Sequence, residues 1–168
     1  MLQPRHLPAL IAMFLLAGVA CTTAPPPPPA RTIVPSDHVA PSPVGTTLSV
    51  LQKTFSLKNS ATFPFEIPAH ASQPHLHGIF QSFVGQVHGT SDETANINFL
   101  ILNEEQNAAF ASNRPSEAVF SVEDSHNQAV NFDLAASMST PVKYYLVFRN
   151  PDGSHSSKVV EATFRVDF

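Results

Sequence analysis

Tryptophan is absent from this chain; tyrosine occurs twice, cysteine once and glycine six times in 168 residues. Each scarcity removes an explanation. A single cysteine forms no internal disulfide, so a fold must be held by its core alone. The six glycines make no phosphate-cradling loop, and no Gly-x-Ser-x-Gly elbow is present for a serine nucleophile. Without tryptophan, the flat platforms common in sugar-binding sandwiches are scarce, which weakens a carbohydrate reading without abolishing it. Charged residues make up only 13%, and neither sign gathers into a run. Nucleic acid has no electrostatic footprint to bind, and a polybasic membrane patch is missing too.

What is present begins at the N-terminus. Arg5 and His6 open an apolar stretch, residues 7–20, that ends in small residues before Cys21. The stretch is shorter than the about 20 residues that span a bilayer core. A basic start, an apolar run and small residues are the order of a secretory signal. The segment Gly18-Val19-Ala20-Cys21 resembles the lipobox of bacterial lipoproteins, in which the cysteine becomes the first residue and receives diacylglycerol. Gly18 stands where that family usually has leucine. The resemblance implies that residues 1–20 are a signal peptide, that Cys21 is the lipidation site and that the address is the bacterial cell envelope. Thr22 in place of aspartate after the cysteine implies the outer membrane. The alternatives are an ordinary signal cleaved near Ala20 or Ala24, and an uncleaved membrane-proximal helix. Acyl chains contribute about 0.8 kcal/mol per buried methylene, so several on one cysteine anchor firmly.

Between Pro25 and Pro43 there are 8 prolines in 19 residues. Such a stretch has too few backbone donors and too little apolar surface to fold. Residues 21–46 therefore read as a disordered, extended tether rising about 3.1 Å per residue. A recognition segment for an SH3-like partner is the other use of such a run. No basic residue brackets the five consecutive prolines in the useful register.

Residues 47–168 suffice for one globular domain, and they carry twelve of the thirteen phenylalanines. Loss of residues 1–20 removes Arg5 and no acidic group, leaving 8 basic and 13 acidic side chains, a net charge of −5. The hydrophobic period here is two. Val160, Ala162, Phe164, Val166 and Phe168 fall on one face, with Glu161, Thr163, Arg165 and Asp167 on the other. Val130, Phe132 and Leu134 alternate similarly, as do Phe120 and Val122. Segments 99–102 and 144–148 are apolar on both faces and predict central, doubly covered strands. Further strands are expected at 50–57, 62–67 and 76–87. Pro64 makes the second of these an edge strand, a candidate for contact with a partner. Residues 104–112 are the one candidate helix. Asn150-Pro151-Asp152-Gly153 reads as a hairpin loop, and Ser125-His126-Asn127 as a tight connection. The pattern predicts an all-β fold, a single antiparallel β-sandwich.

Three landmarks carry a second resemblance: Leu76-His77-Gly78-Ile79-Phe80, the apolar strand from Ile97, and the closing Tyr144-to-Asn150 and Lys158-to-Phe168 strands. Together they resemble the jelly-roll-like Golgi-dynamics (GOLD) sandwich and its bacterial look-alikes, over about the last 110 residues. Cargo-receptor members have a disulfide and a downstream membrane helix, neither of which this sequence contains, so their trafficking role does not carry over. The resemblance implies a small interaction module with no catalytic residues to inherit. The terminal Phe168 behind Val166, Phe164 and Ala162 also resembles the assembly signal of outer-membrane barrels. The scarcity of Tyr and Trp and the two-sided strands speak against a barrel.

Few groups suggest chemistry. His75 and His77 lie two apart, so on a strand they project from one face and could chelate a divalent metal, with His70 or His88 as a third ligand. The plainer role is that of half-exposed strand histidines. Ser154, Ser156 and Ser157 beside His155 are explained as turn residues. No pair of carboxylates is singled out for glycosidase chemistry. Asn96, Asn98 and Asn103 could line a polar surface. The expectation is a lipid-anchored envelope protein whose sandwich is a non-catalytic binding or structural module, with an envelope protein or glycan as partner. The alternative is an exported metal- or ligand-binding domain using His75 and His77.

Overall fold

Among the described residues the period-two alternation produces eight strands. The computed structural model describes residues 43–85, 90–153 and 156–168. Cys21, the signal segment, the proline-rich stretch to residue 42, the end of the expected third strand at 86–87, His88, Ser154 and His155 lie outside them. One sheet has the order β1 (Thr47–Leu57), β8 (Lys158–Asp167), β3 (His75–Val84), β6 (Asn127–Asp133). The second has the order β2 (Ser60–Ile67), β7 (Val142–Arg149), β4 (Ile97–Asn103), β5 (Phe120–Ser125). Every pairing is antiparallel. β1 pairs with β8, β2 with β7, β3 with β6 and β4 with β5, as in one long ribbon rolled across two sheets. Further pairing of β3 with β8 and of β4 with β7 joins each sheet. This is an all-β sandwich with jelly-roll strand order. Its strands pack as two four-stranded sheets rather than one closed barrel.

Phenylalanine fills the space between the sheets. Phe80 and Phe164 come from the first sheet, Phe99 and Phe148 from the second, and all four are fully buried. Phe99 stacks on Phe164 with ring centroids 5.1 Å apart and planes 11° apart, while Phe80 touches Phe99 at 5.6 Å and Phe148 at 5.9 Å. Each such pair contributes about 0.5–1.5 kcal/mol beyond its burial. Two more pairs seal the flanks: Phe55 with Phe63 at 4.9 Å between β1 and β2, and Phe120 with Phe132 at 5.1 Å between β5 and β6. In β8 the alternation works as the sequence predicts, with Val160, Ala162, Phe164 and Val166 buried. Tyr144 faces the core and stacks on Phe65. Burial pushes its phenol up, partly offset by a hydrogen bond with the Ala135 backbone.

The two-sided strands are central, as expected. β4 and β7 occupy the middle of the second sheet, and α1 (Glu104–Ala111) folds back over their outer face. Val147 and Leu102, which point away from the sandwich core, are consequently buried. The helix starts where Asn103 accepts from the Gln106 backbone N–H and the Gln106 side chain accepts from the Asn103 N–H, a reciprocal cap. β2, with Pro64, is an edge strand.

The loop after β7 and the start of the domain differ from expectation, while the tight connection at His126 is present as expected. The Asn150-Pro151-Asp152-Gly153 loop does not close a hairpin. β7 already has β2 and β4 as neighbours, so the chain crosses to the other sheet, where β8 inserts between β1 and β3. His126 likewise carries the chain between sheets, from β5 to β6. Pro43–Thr46, assigned to the tether by composition, form a turn: the Thr46 N–H donates to the Pro43 carbonyl, and Gly45 takes φ 77. Phe168 donates its N–H to the Thr46 carbonyl at 3.0 Å and holds this turn in place.

Gly78 sets how closely β3 and β8 can carry the central stack. A Cβ there would lie 2.3 Å from the Thr163 carbonyl oxygen and 2.5 Å from Cδ1 of Phe164. Neither atom has room to retreat, one being backbone and the other locked against Phe99. Gly78→Ala is expected to destabilise the domain by about 2–3 kcal/mol through overpacking, measured as a lower urea midpoint at an unchanged m-value.

Candidate functional site

The sandwich has two ends, distinguished by what gathers at each. At the first, β1 begins and β8 finishes, beside the Pro43–Thr46 turn. Cross-strand register sets Thr47, Asp167, His75 and Asp133 in one row on the open face of the first sheet, with His77 and Arg165 in the next row. His75 and His77 thus share a face, their ring centroids 6.1 Å apart. Both face carboxylates. His75 Nδ1 lies 2.6 Å from Asp133 Oδ1. His77 Nε2 lies 3.6 Å from Asp167 Oδ2, too far for a hydrogen bond, and this buried nitrogen has no other partner among the described residues. The Thr47 hydroxyl donates to the other Asp167 oxygen at 2.7 Å. Among the described residues, no three His, Cys, Asp or Glu side chains converge to hold a metal ion. His70 sits in the turn after β2 with φ 63.

At the opposite end the loops are clamped by two buried polar side chains. Asn150 is 3% exposed, and its amide nitrogen donates to the carbonyls of Lys58, Gly153 and Ser156 at 2.9, 2.8 and 2.6 Å. Its backbone N–H donates to the Asn59 carbonyl, and its side-chain oxygen accepts from the Asp152 N–H. Lys158, 1% exposed, donates to the Asn96 carbonyl and pairs with Asp152 at 2.9 Å. A buried ammonium is costly unless paired and hydrogen-bonded, and this one is both. The three asparagines expected to line a surface hold the frame. Asn96 accepts from His126 Nδ1, Asn98 accepts from the Asp124 N–H, and Asn103 caps α1. The Ser157 hydroxyl lies 3.0 Å from that of Ser56 in β1.

Beside this clamped end, between the C-terminal end of α1 and the outer edge of the second sheet, lies a cleft of about 600 Å³. That volume lies within the range of small-molecule sites. Arg114 and Arg149 line it, with the amides of Asn59 and Asn113 and the apolar surfaces of Phe110 and Pro151. Among the described residues no acidic one lines it. Among the described residues neither arginine is in an ion pair. The helix end beside it is already satisfied: Ala109 accepts from the Ser112 and Arg114 N–H groups, and Phe110 from that of Asn113. A helix C-terminus carries partial negative charge, which favours the cationic side chain of Arg114 beside it.

Sequence reasoning singled out the histidines and missed the arginines. The outward position of Arg149 follows from continuing the alternation Lys143, Tyr145, Val147, Arg149 along β7. No local pattern shows that Arg114, beyond a helix and in a loop, returns to the same cleft. No family model and no curated protein matches the chain.

Asn150→Ala is expected to lower domain stability by about 3 kcal/mol, because it leaves three loop carbonyls without their donor. Chemical denaturation of the purified protein measures it.

Proposed function

We propose that the protein is a lipid-anchored bacterial envelope protein whose sandwich is a non-catalytic binding module. What supports this most is the separation of chain entry from cleft. The chain joins the domain beside Phe168, where the Gly45 N–H donates to the Phe168 carbonyl. The arginine cleft lies toward the other end of the strands, next to Asn59, Arg149 and Asn150. The 11 residues of β1 span the interval, roughly 30 Å at the usual strand rise. A module tethered at its N-terminal end leaves such a cleft clear of the point where its chain enters. Cys21 would carry the lipid and residues 22–42 the proline-rich spacer, with the outer membrane as the favoured site. The envelope offers proteins and glycans as partners. The expected result on extraction from membranes, after expression with the native signal, is a mature chain beginning at Cys21 with added acyl mass in intact-mass spectrometry. An unmodified chain cut elsewhere overturns the anchor.

A second reading, divalent-metal binding by His75 and His77, has one observation in its favour. Asp133 engages His75 Nδ1 at 2.6 Å, as carboxylates that accept from the far ring nitrogen orient metal-binding histidines. It predicts zinc binding that is reversed by chelator and abolished in a His75→Ala/His77→Ala double variant. Titration of the protein with zinc alone decides it.

A further inference from the structure

We propose that the arginine cleft on the second sheet is a binding site for an acidic saccharide, a short chain of sugars bearing ring carboxylates. This rests on the binding-module reading above and names its ligand class.

The charge argument comes first. Arg114 and Arg149 are exposed, line one cleft and have no ion-pair partner among the described residues. The protein as a whole is acidic, with a formal net charge of −4. Two unpaired guanidiniums in one cleft of an acidic molecule make a local field of the opposite sign, and the planar fork of each matches a carboxylate bidentately. The field has a boundary. On the far side of Arg114 an adjoining hollow carries Glu105 and Glu117, so an anion is favoured only toward Arg149.

The other walls narrow the class. A site for bare phosphate or a simple dicarboxylate has no use for apolar surface, and a hydrophobic ligand has none for two arginines. Here the half-buried ring of Phe110 and the face of Pro151 lie in the same cleft as the guanidiniums. The side-chain amides of Asn59 and Asn113 add donors and acceptors of the kind that meet hydroxyl groups. A pyranose with a carboxylate has all three complements: an apolar ring face, a hydroxyl edge and a negative charge. The volume of about 600 Å³ gives room for more than one ring. The backbone that carries both arginines is held in place. Arg149 immediately precedes Asn150, whose amide locks the neighbouring loops, and the backbone N–H of Arg114 donates to the Ala109 carbonyl at 2.9 Å.

The test uses the full chain, expressed with its native signal and purified in detergent. Calorimetric titration compares a galacturonic acid trisaccharide, the same trisaccharide with its carboxyls reduced to hydroxymethyl groups, and inorganic phosphate. The acidic trisaccharide is expected to bind at least about tenfold more tightly than either comparator, with affinity falling as salt is raised. Arg114→Gln and Arg149→Gln should each weaken it by about tenfold or more with the melting temperature unchanged. Arg165→Gln, on the open face of the other sheet, should leave it unaltered. Equal binding of the reduced trisaccharide, equal binding of phosphate, or no binding at all overturns the proposal. Insensitivity to both cleft substitutions does so as well. Acyl mass on Cys21 without uronate binding sinks this inference and leaves the anchored module standing. Uronate binding by a chain without acyl mass does the reverse.

Discussion

The fold depends on a ring laid over a glycine. Phe164 in β8 lies directly across from Gly78 in β3, and the missing Cβ is the space its ring occupies. From there it stacks on Phe99 of the opposite sheet, and Phe99 in turn touches Phe148 at 5.1 Å. Two sheets about 10 Å apart need side chains long enough to meet in the middle. A chain with no second cysteine cannot pin them covalently. Aromatic contact is the means left to it. The phenylalanine excess and the single cysteine are therefore two aspects of one physical arrangement: dispersion and burial supply the cross-sheet hold that secreted sandwiches often share with a disulfide.

Polar side chains do a different job, at the end where loops cross between sheets. Loop carbonyls there are too far from any strand to enter a ladder, yet the loops lie close enough to exclude water from some of them. Asn150 and Lys158 supply the missing donors. A hydrophobic residue in place of Lys158 would avoid the cost of desolvating an ammonium, but it would leave the Asn96 carbonyl and Asp152 unmatched. The same loops form one wall of the arginine cleft, so a rigid frame and a ligand-sized recess come from one set of contacts.

Much of this was legible in the sequence, and the limits follow from what local patterns encode. Alternation in β8 and apolar runs in β4 and β7 reflect burial on one face or two, a property each strand carries by itself. Pro64 marks an edge because the missing N–H is local as well. Partner choice is not local. Asn150-Pro151-Asp152-Gly153 has the residues of a turn, yet whether the next strand pairs with β7 depends on β2 and β4 having taken both its sides. The functional groups divide in the same way. His75 and His77 share a face because strand geometry demands it, whereas the carboxylates that engage them come from β6 and β8. Asn96, Asn98 and Asn103 looked alike as surface amides, and each is used for a different bond within the frame. Arg114 and Arg149, 35 positions apart in the sequence, meet only because α1 doubles back over the sheet.

That doubling back has a functional consequence. Without α1, the outer face of the second sheet would expose Val147 and Leu102, a flat apolar surface suited to non-specific association. The helix covers them and, being only 8 residues long, stops short of the sheet's end. A helix one or two turns longer, about 5.4 Å per turn, would run into the space now bordered by Asn59 and Arg149. The cleft is thus set by helix length, and that length is set by capping: the Asn103–Gln106 box starts the helix, and Asn113, at φ 52, turns the chain away at its end. In the proposed anchored protein this matters more than affinity at a single site. A tethered module samples its surface at high effective concentration, so a shallow cleft with two unpaired guanidiniums suffices where a free protein would need a deeper pocket.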